Sequence, residues 1–202
     1  MASQSAIQIE SQKMAEQETS PPQYTPSQQQ QQHQTAAQGL SLKVFRLQLD
    51  SVAHDPLDPV KRYHDGIFVE TNRSLGTGTM YQVTGDVISQ NGMRYEEKAD
   101  YLPSSEARLH HSTPIGVIST ADYDGGVVTA ILSALPTPSK QQGINFWEAD
   151  PQTGRHELIW TKENGEPYGP AETRRPTFKC NEWTSLHAIP ALRDAGILRD
   201  TA

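Results

Sequence analysis

A lone cysteine and one histidine are the residues of this sequence best suited to covalent chemistry. Cys180 is the only cysteine among 202 residues, so the chain forms no internal disulfide. It follows Lys179 at a point where a loop-like pattern gives way to a helical one. A helix N-terminus, a nearby cation and a neighbouring imidazole all favour the thiolate, the nucleophilic form of cysteine. We therefore predict a reactive Cys180 thiol, with His64 as the candidate imidazole. A small buried residue is the alternative for this cysteine.

A third polar residue is needed to hold His64 in one tautomer if the imidazole is to act as a base. His64 opens a predicted strand over 64–71, and the next predicted strand, 79–89, contains Gln82. Neighbouring antiparallel strands bring side chains together across the ladder. The pattern therefore predicts that Gln82 orients His64. The alternative is that Gln82 is an ordinary solvated side chain.

The order of these residues resembles a known family. The strand His-Asp-Gly-Ile-Phe-Val beginning at His64 resembles the His-Trp-Ala-Ile-Tyr-Val strand of lecithin:retinol acyltransferase-like proteins. The segment Cys-Asn-Glu-Trp beginning at Cys180 resembles their Asn-Cys-Glu-His-Phe helix start. Those proteins form a permuted branch of the NlpC-type, papain-like thiol fold, in which the histidine strand precedes the cysteine helix.

A second resemblance covers residues 42 to 198. The strings Gly-Thr-Gly-Thr-Met-Tyr-Gln-Val-Thr-Gly from Gly76 and Pro-Thr-Pro-Ser-Lys-Gln from Pro136 are similar to motifs of uncharacterised small proteins from filamentous fungi. Two positions depart from the pattern. Gln82 stands where histidine is commoner, eighteen residues after His64, and Asp65 replaces the bulky residue that follows the strand histidine.

The resemblance implies a cysteine-dependent acyl hydrolase or acyltransferase. Cys180 would attack an acyl carbonyl of a small molecule or peptide to form a thioester, with His64 as base and Gln82 as orienter. Backbone N–H groups near Cys180 would stabilise the oxyanion. Trp183, Glu182 and Asp65 are possible pocket residues. The alternative is a catalytically silent module that binds a peptide or small molecule in the same cleft.

Other residue groups predict no cofactor and no metal. The adjacent pair His110 and His111 would point in opposite directions on an extended chain, and a single cysteine excludes a cysteine-rich zinc site. The pattern Gly76-x-Gly78 precedes a strand rather than a helix, so a phosphate-binding loop is not expected.

The amino-acid composition limits the classes of partner and the cellular compartment that we expect for this protein. A net charge of −7 argues against a nucleic-acid-binding protein. No apolar run reaches the length of a membrane span, and the first residues lack the apolar core of a signal peptide. We therefore expect no integral membrane contact and a cytoplasmic location. The oligomeric state is left open.

The chain is predicted to contain a disordered glutamine-rich tail over residues 1–40 and a single α+β domain over residues 41–202. Strands are expected first, as an antiparallel sheet, followed by C-terminal helices in the permuted NlpC-type arrangement. Prolines recur through residues 136–178, which indicates a long loop. The predicted strands are 42–49, 64–71, 79–89, 93–98 and 116–121, and the predicted helices are 126–135, 182–187 and 190–196.

Overall fold

The computed structural model describes residues 41–51 and 54–201, so the predicted tail over residues 1–40 lies outside the described residues. Five strands form one antiparallel sheet in the order β4-β3-β2-β1-β5. The prediction of an α+β fold with an antiparallel sheet followed by C-terminal helices is confirmed. The strands are β1 (Ser41–Asp50), β2 (Tyr63–Asn72), β3 (Thr77–Gly85), β4 (Met93–Tyr101) and β5 (Leu109–Ser119).

Alternation along the strands divides the apolar residues between two faces of the sheet. One face carries Ile67 and Val83 and is covered by helices that contribute Trp183 and Leu192 to the larger core. The other face, which we call the open face, carries a smaller cluster of three buried side chains. That cluster consists of Leu47, Phe68 and Met80.

Short helical segments cover the first face. They are α1 (Thr120–Asp124), α2 (Val127–Ser133), α3 (Cys180–Glu182), a π-helical segment (Trp183–Ala188) and α4 (Ile189–Asp194). α1 begins where Ser119 Oγ accepts a hydrogen bond of 3.0 Å from the backbone N–H of Asp122. This cap ends β5 at Ser119, so the prediction of a strand through residue 121 was wrong at that end. Pro190 stands in the first turn of α4, where a missing N–H donor is tolerated.

The segment over residues 136–178, predicted to be rich in loops, also contains two strands that were not predicted. A hairpin of β6 (Gln142–Ala149) and β7 (His156–Trp160) lies inside it. Its turn forms because the Asp150 carboxylate accepts backbone N–H bonds from Gln152 and Thr153, and Gly154 then adopts a left-handed φ of 64°. β5 also starts earlier than predicted, at Leu109, because β1 pairs with it along its length through two register shifts.

Candidate functional site

A cavity of about 820 Å³ opens where β2 begins and β3 ends. His64 and Gln82 line it from these two strands, and Cys180 lines it from the start of α3. The segment 54–62, which leads into β2, forms another part of the wall. The structure thus brings the three nominated residues to one cavity, whose volume suits a small organic ligand.

On the open face, Gln82 bonds His64. His64 Nε2 lies 2.8 Å from Gln82 Oε1, and Gln82 Nε2 donates a bond of 2.6 Å to Glu96 Oε2. Gln82 lies directly across the ladder from Glu96 and shares its face with Met80. Only 3% of Gln82 is exposed, so the residue in the middle of this row is held away from water, while His64 and Glu96 are partly exposed.

Cys180 approaches the same end of β2 from the helix-covered face. Its Sγ lies 3.9 Å from the backbone oxygen of Tyr63 and 3.8 Å from Asn181 Oδ1. Asn181 Nδ2 in turn donates to the Tyr63 oxygen at 2.8 Å and to Asp65 Oδ1 at 3.1 Å. Within residues 41–51 and 54–201, the hydrogen bonds of the sulfur do not include the imidazole of His64.

The electrostatics of Cys180 differ from the expectation of a favoured thiolate. Burial raises the pKa of its thiol above the ordinary value, and backbone N–H groups of Asp65 and Asn181 oppose that effect only in part. Lys179, predicted to add a nearby positive charge, is paired instead. Its Nζ lies 2.5 Å from Asp55 Oδ2 and 3.4 Å from Asp58 Oδ2. The expectation of a lowered thiol pKa in the resting protein is therefore wrong.

The structure places the three possible pocket residues behind the cavity wall. Asp65 is fully buried and paired with Arg46. Glu182 caps the helix by accepting a bond of 2.9 Å from the Lys179 backbone N–H. Trp183 is fully buried in the core, with its ring centroid 6.0 Å from that of Tyr95. None of the three lines the cavity described above.

Several functional neighbours were missed at the level of sequence. Asn181 accepts a hydrogen bond from the Cys180 thiol, and Glu96 accepts one from Gln82. Asparagine and glutamate are both common on protein surfaces, so their types alone gave no signal. Asp55 and Asp58 were assigned to a loop. Both carboxylates contact Lys179, which lies more than a hundred residues away in the sequence. Such long-range pairs leave no periodic signal. For Asn181 a local signal was present, because this residue directly follows Cys180 in the sequence.

The adjacent histidines His110 and His111 lie on β5. His110 stacks on Tyr63 with ring centroids 4.2 Å apart. Among the described residues, no group of three or more His, Cys, Asp or Glu side chains is placed to hold a metal ion. In the same part of the chain, no helix is both long and apolar enough to cross a membrane.

Comparison with protein families assigns the chain to a family. The model of a family described as "Family of unknown function (DUF6540)" matches residues 52–199. The chain belongs to this family. The DUF6540 match spans both His64 and Cys180 and therefore includes β2, β3 and the cysteine helix. Searches of curated proteins and of solved structures gave no match.

Proposed function

We propose that the protein is a cysteine-dependent acyl hydrolase or acyltransferase, in a permuted papain-like arrangement. The observation that carries the proposal is the shared cavity, which joins Cys180 at a helix start to His64 bonded by Gln82. A cysteine, a histidine and an orienting amide are the parts that thiol acyl transfer needs. The chain order of histidine strand before cysteine helix supports the permuted arrangement.

The reaction has two steps. In the first, the Cys180 thiol proton passes to the imidazole nitrogen that does not bond Gln82, and Sγ forms a bond to the acyl carbonyl carbon. The bond to the leaving group breaks, and the leaving group departs with the proton from His64. In the second, His64 takes a proton from water, an alcohol or an amine, whose oxygen or nitrogen displaces Sγ. The thiol is regenerated, and the product is an acid, an ester or an amide.

The resting contacts of the sulfur define what substrate binding must change. The thiol hydrogen has two oxygen acceptors, on Tyr63 and Asn181, and both stabilise the protonated form. An acyl group entering the cavity must turn the thiol from these oxygens toward His64. Rotation about a single side-chain torsion moves a sulfur in this way at low energetic cost.

A binding module is the second candidate, and the raised thiol pKa favours it. In that case the cavity holds a small molecule or peptide without bond formation. The two candidates differ in whether Cys180 gains a covalent acyl group.

The deciding experiment incubates the full chain with p-nitrophenyl esters of increasing acyl length and records the intact mass. We expect an acyl adduct that is absent in Cys180→Ser and strongly reduced in His64→Ala. His54→Ala is the matched control, because His54 also lines the cavity. An adduct on other residues, or ester binding without any adduct, would favour the binding module.

A further inference from the structure

We infer that Glu96 is a positioning residue that sets the tautomer of His64 through Gln82. The catalytic meaning of this tautomer rests on the proposed function, whereas the tautomer itself does not. The side chains form a row in which Glu96 bonds Gln82 at 2.6 Å and Gln82 bonds His64 at 2.8 Å. Glu96 does not line the cavity, so its influence on His64 passes through the amide.

The two ends of the Gln82 amide are chemically different. Its nitrogen only donates hydrogen bonds, its oxygen only accepts them, and an ionised carboxylate also only accepts. The amide must therefore turn its nitrogen toward Glu96, which leaves Oε1 facing His64. An oxygen acceptor at 2.8 Å requires a proton on His64 Nε2. The neutral imidazole consequently keeps its lone pair on Nδ1, the nitrogen needed as a base.

The surroundings make the carboxylate the dominant influence on the amide. Gln82 is 3% exposed, so water competes little for its two ends. Arg94 lies 3.8 Å from Glu96 Oε1, and Lys98 lies 3.5 Å from Oε2. Neither cation forms a hydrogen bond to Gln82 in the described part of the chain. At position 82, a histidine would carry a ring proton of its own. Glutamine instead needs a neighbouring residue to set which end of its amide faces His64.

Glu97 provides a matched comparison on the same strand. It follows Glu96 directly but faces the helix-covered side, where it accepts bonds from Tyr95 at 2.7 Å and Thr129 at 3.2 Å. A change at Glu97 alters a carboxylate of the same strand without touching the amide of Gln82. A change at Glu96 removes the acceptor that holds the amide.

The test reads the His64 tautomer by ¹⁵N NMR at about pH 8, above the ordinary histidine pKa of about 6.5. Comparison with His64→Ala assigns the His64 resonances among the seven histidines. In the wild type we expect Nε2 protonated and Nδ1 unprotonated. In Glu96→Met the amide is free to reverse, and the Nδ1 resonance should shift toward the protonated range. Glu96→Gln should retain the wild-type tautomer, because its own amide oxygen can accept the bond. Glu97→Gln should also match the wild type.

An Nδ1-protonated imidazole in the wild type would overturn the inference, as would an unchanged tautomer in Glu96→Met. Glu96→Ala serves the same purpose if the methionine variant does not fold. Failure of the proposed function has a different signature. Cys180 would then form no acyl adduct, while the tautomer would still respond to Glu96.

Discussion

On the helix-covered face of the sheet, the carboxylate of Asp65 is fully buried and paired with Arg46. On the open face, the Glu96 carboxylate keeps 29% exposure and interacts with two solvated cations. Each carboxylate accepts a hydrogen bond from a carboxamide nitrogen, Asn181 in one case and Gln82 in the other. The same pairing of acid and amide therefore occurs on both faces, in different dielectric surroundings.

The consequence of the pairing differs between the faces. The oxygen of Asn181 is turned toward the Cys180 thiol, a group whose pKa is raised chiefly by burial. The oxygen of Gln82 is turned toward His64, and there it orients an imidazole that borders the cavity. Cys180 on one face and His64 with Gln82 on the other meet at the cavity, where β2 begins and β3 ends. The proposed acyl transfer therefore requires Cys180 and His64, which lie on opposite faces of β2, to reach one substrate.

The largest expected effect is on stability, when the buried ion pair is broken. Arg46→Met leaves the Asp65 carboxylate without its cation inside the core, and we expect a loss of about 3 kcal/mol in the free energy of unfolding. This is the low end for a buried pair because the Arg46 side chain is 30% exposed. Urea denaturation measures the loss.

Glu96→Gln is the matched change on the open face. Exposed ion pairs contribute little, so we expect a loss of less than about 1 kcal/mol. Equal losses for the two variants would contradict the difference in burial between the faces.

The next effect concerns the resting reactivity of Cys180. The pKa of the thiol is raised by burial, so little thiolate is present at neutral pH. We expect iodoacetamide to label Cys180 more slowly at pH 7 than an exposed thiol, because burial raises the thiol pKa and lowers the thiolate fraction. Ser104→Cys in a Cys180→Ser background supplies that exposed thiol on the same chain.

His64→Ala should leave this slow labelling unchanged, because the imidazole is not among the hydrogen-bond partners found for the sulfur in the described residues. Rapid labelling of the wild type at neutral pH would show that the thiol is already activated before any substrate binds.

Sequence patterns predicted the sheet and the positions of the site better than its chemistry. A stretch rich in Ile, Phe and Val predicted the strand that begins near His64, and chain order placed Gln82 beside it. The sign of the Cys180 pKa shift could not be predicted, because it depends on burial and on interactions with Asp65, which lies more than a hundred residues away in the sequence. The hairpin of β6 and β7 was missed because its clearest signal is the Asp150 turn rather than a regular alternation.

A smaller effect is expected from the segment 54–62 that borders the cavity. Burial alone would raise the pKa of Asp55, but bonds from Lys179, Gln142 and the Leu57 backbone N–H hold it below its ordinary value of 3.8. Because the folded pKa lies below the unfolded one, the carboxylate contributes stability that is complete above about pH 4. That stability is lost as the pH falls through the folded value.

Asp55→Asn should therefore lose less stability than the wild type between pH 7 and pH 3, as measured by urea unfolding at both values. Asp200→Asn is the control, because the Asp200 carboxylate is 90% exposed. An unaltered pH dependence in Asp55→Asn would show that the contact between this segment and Lys179 adds no stability.

The central claim is that Cys180 and His64 act on one acyl group from the two faces of the sheet. The most direct measurement is the pH dependence of Cys180 acylation by a p-nitrophenyl ester, followed by intact mass, in wild type and His64→Ala. We predict that the wild type is acylated at neutral pH, where the imidazole accepts the thiol proton, and that the variant keeps only the alkaline thiolate reaction. Identical pH profiles in the two proteins would contradict the claim.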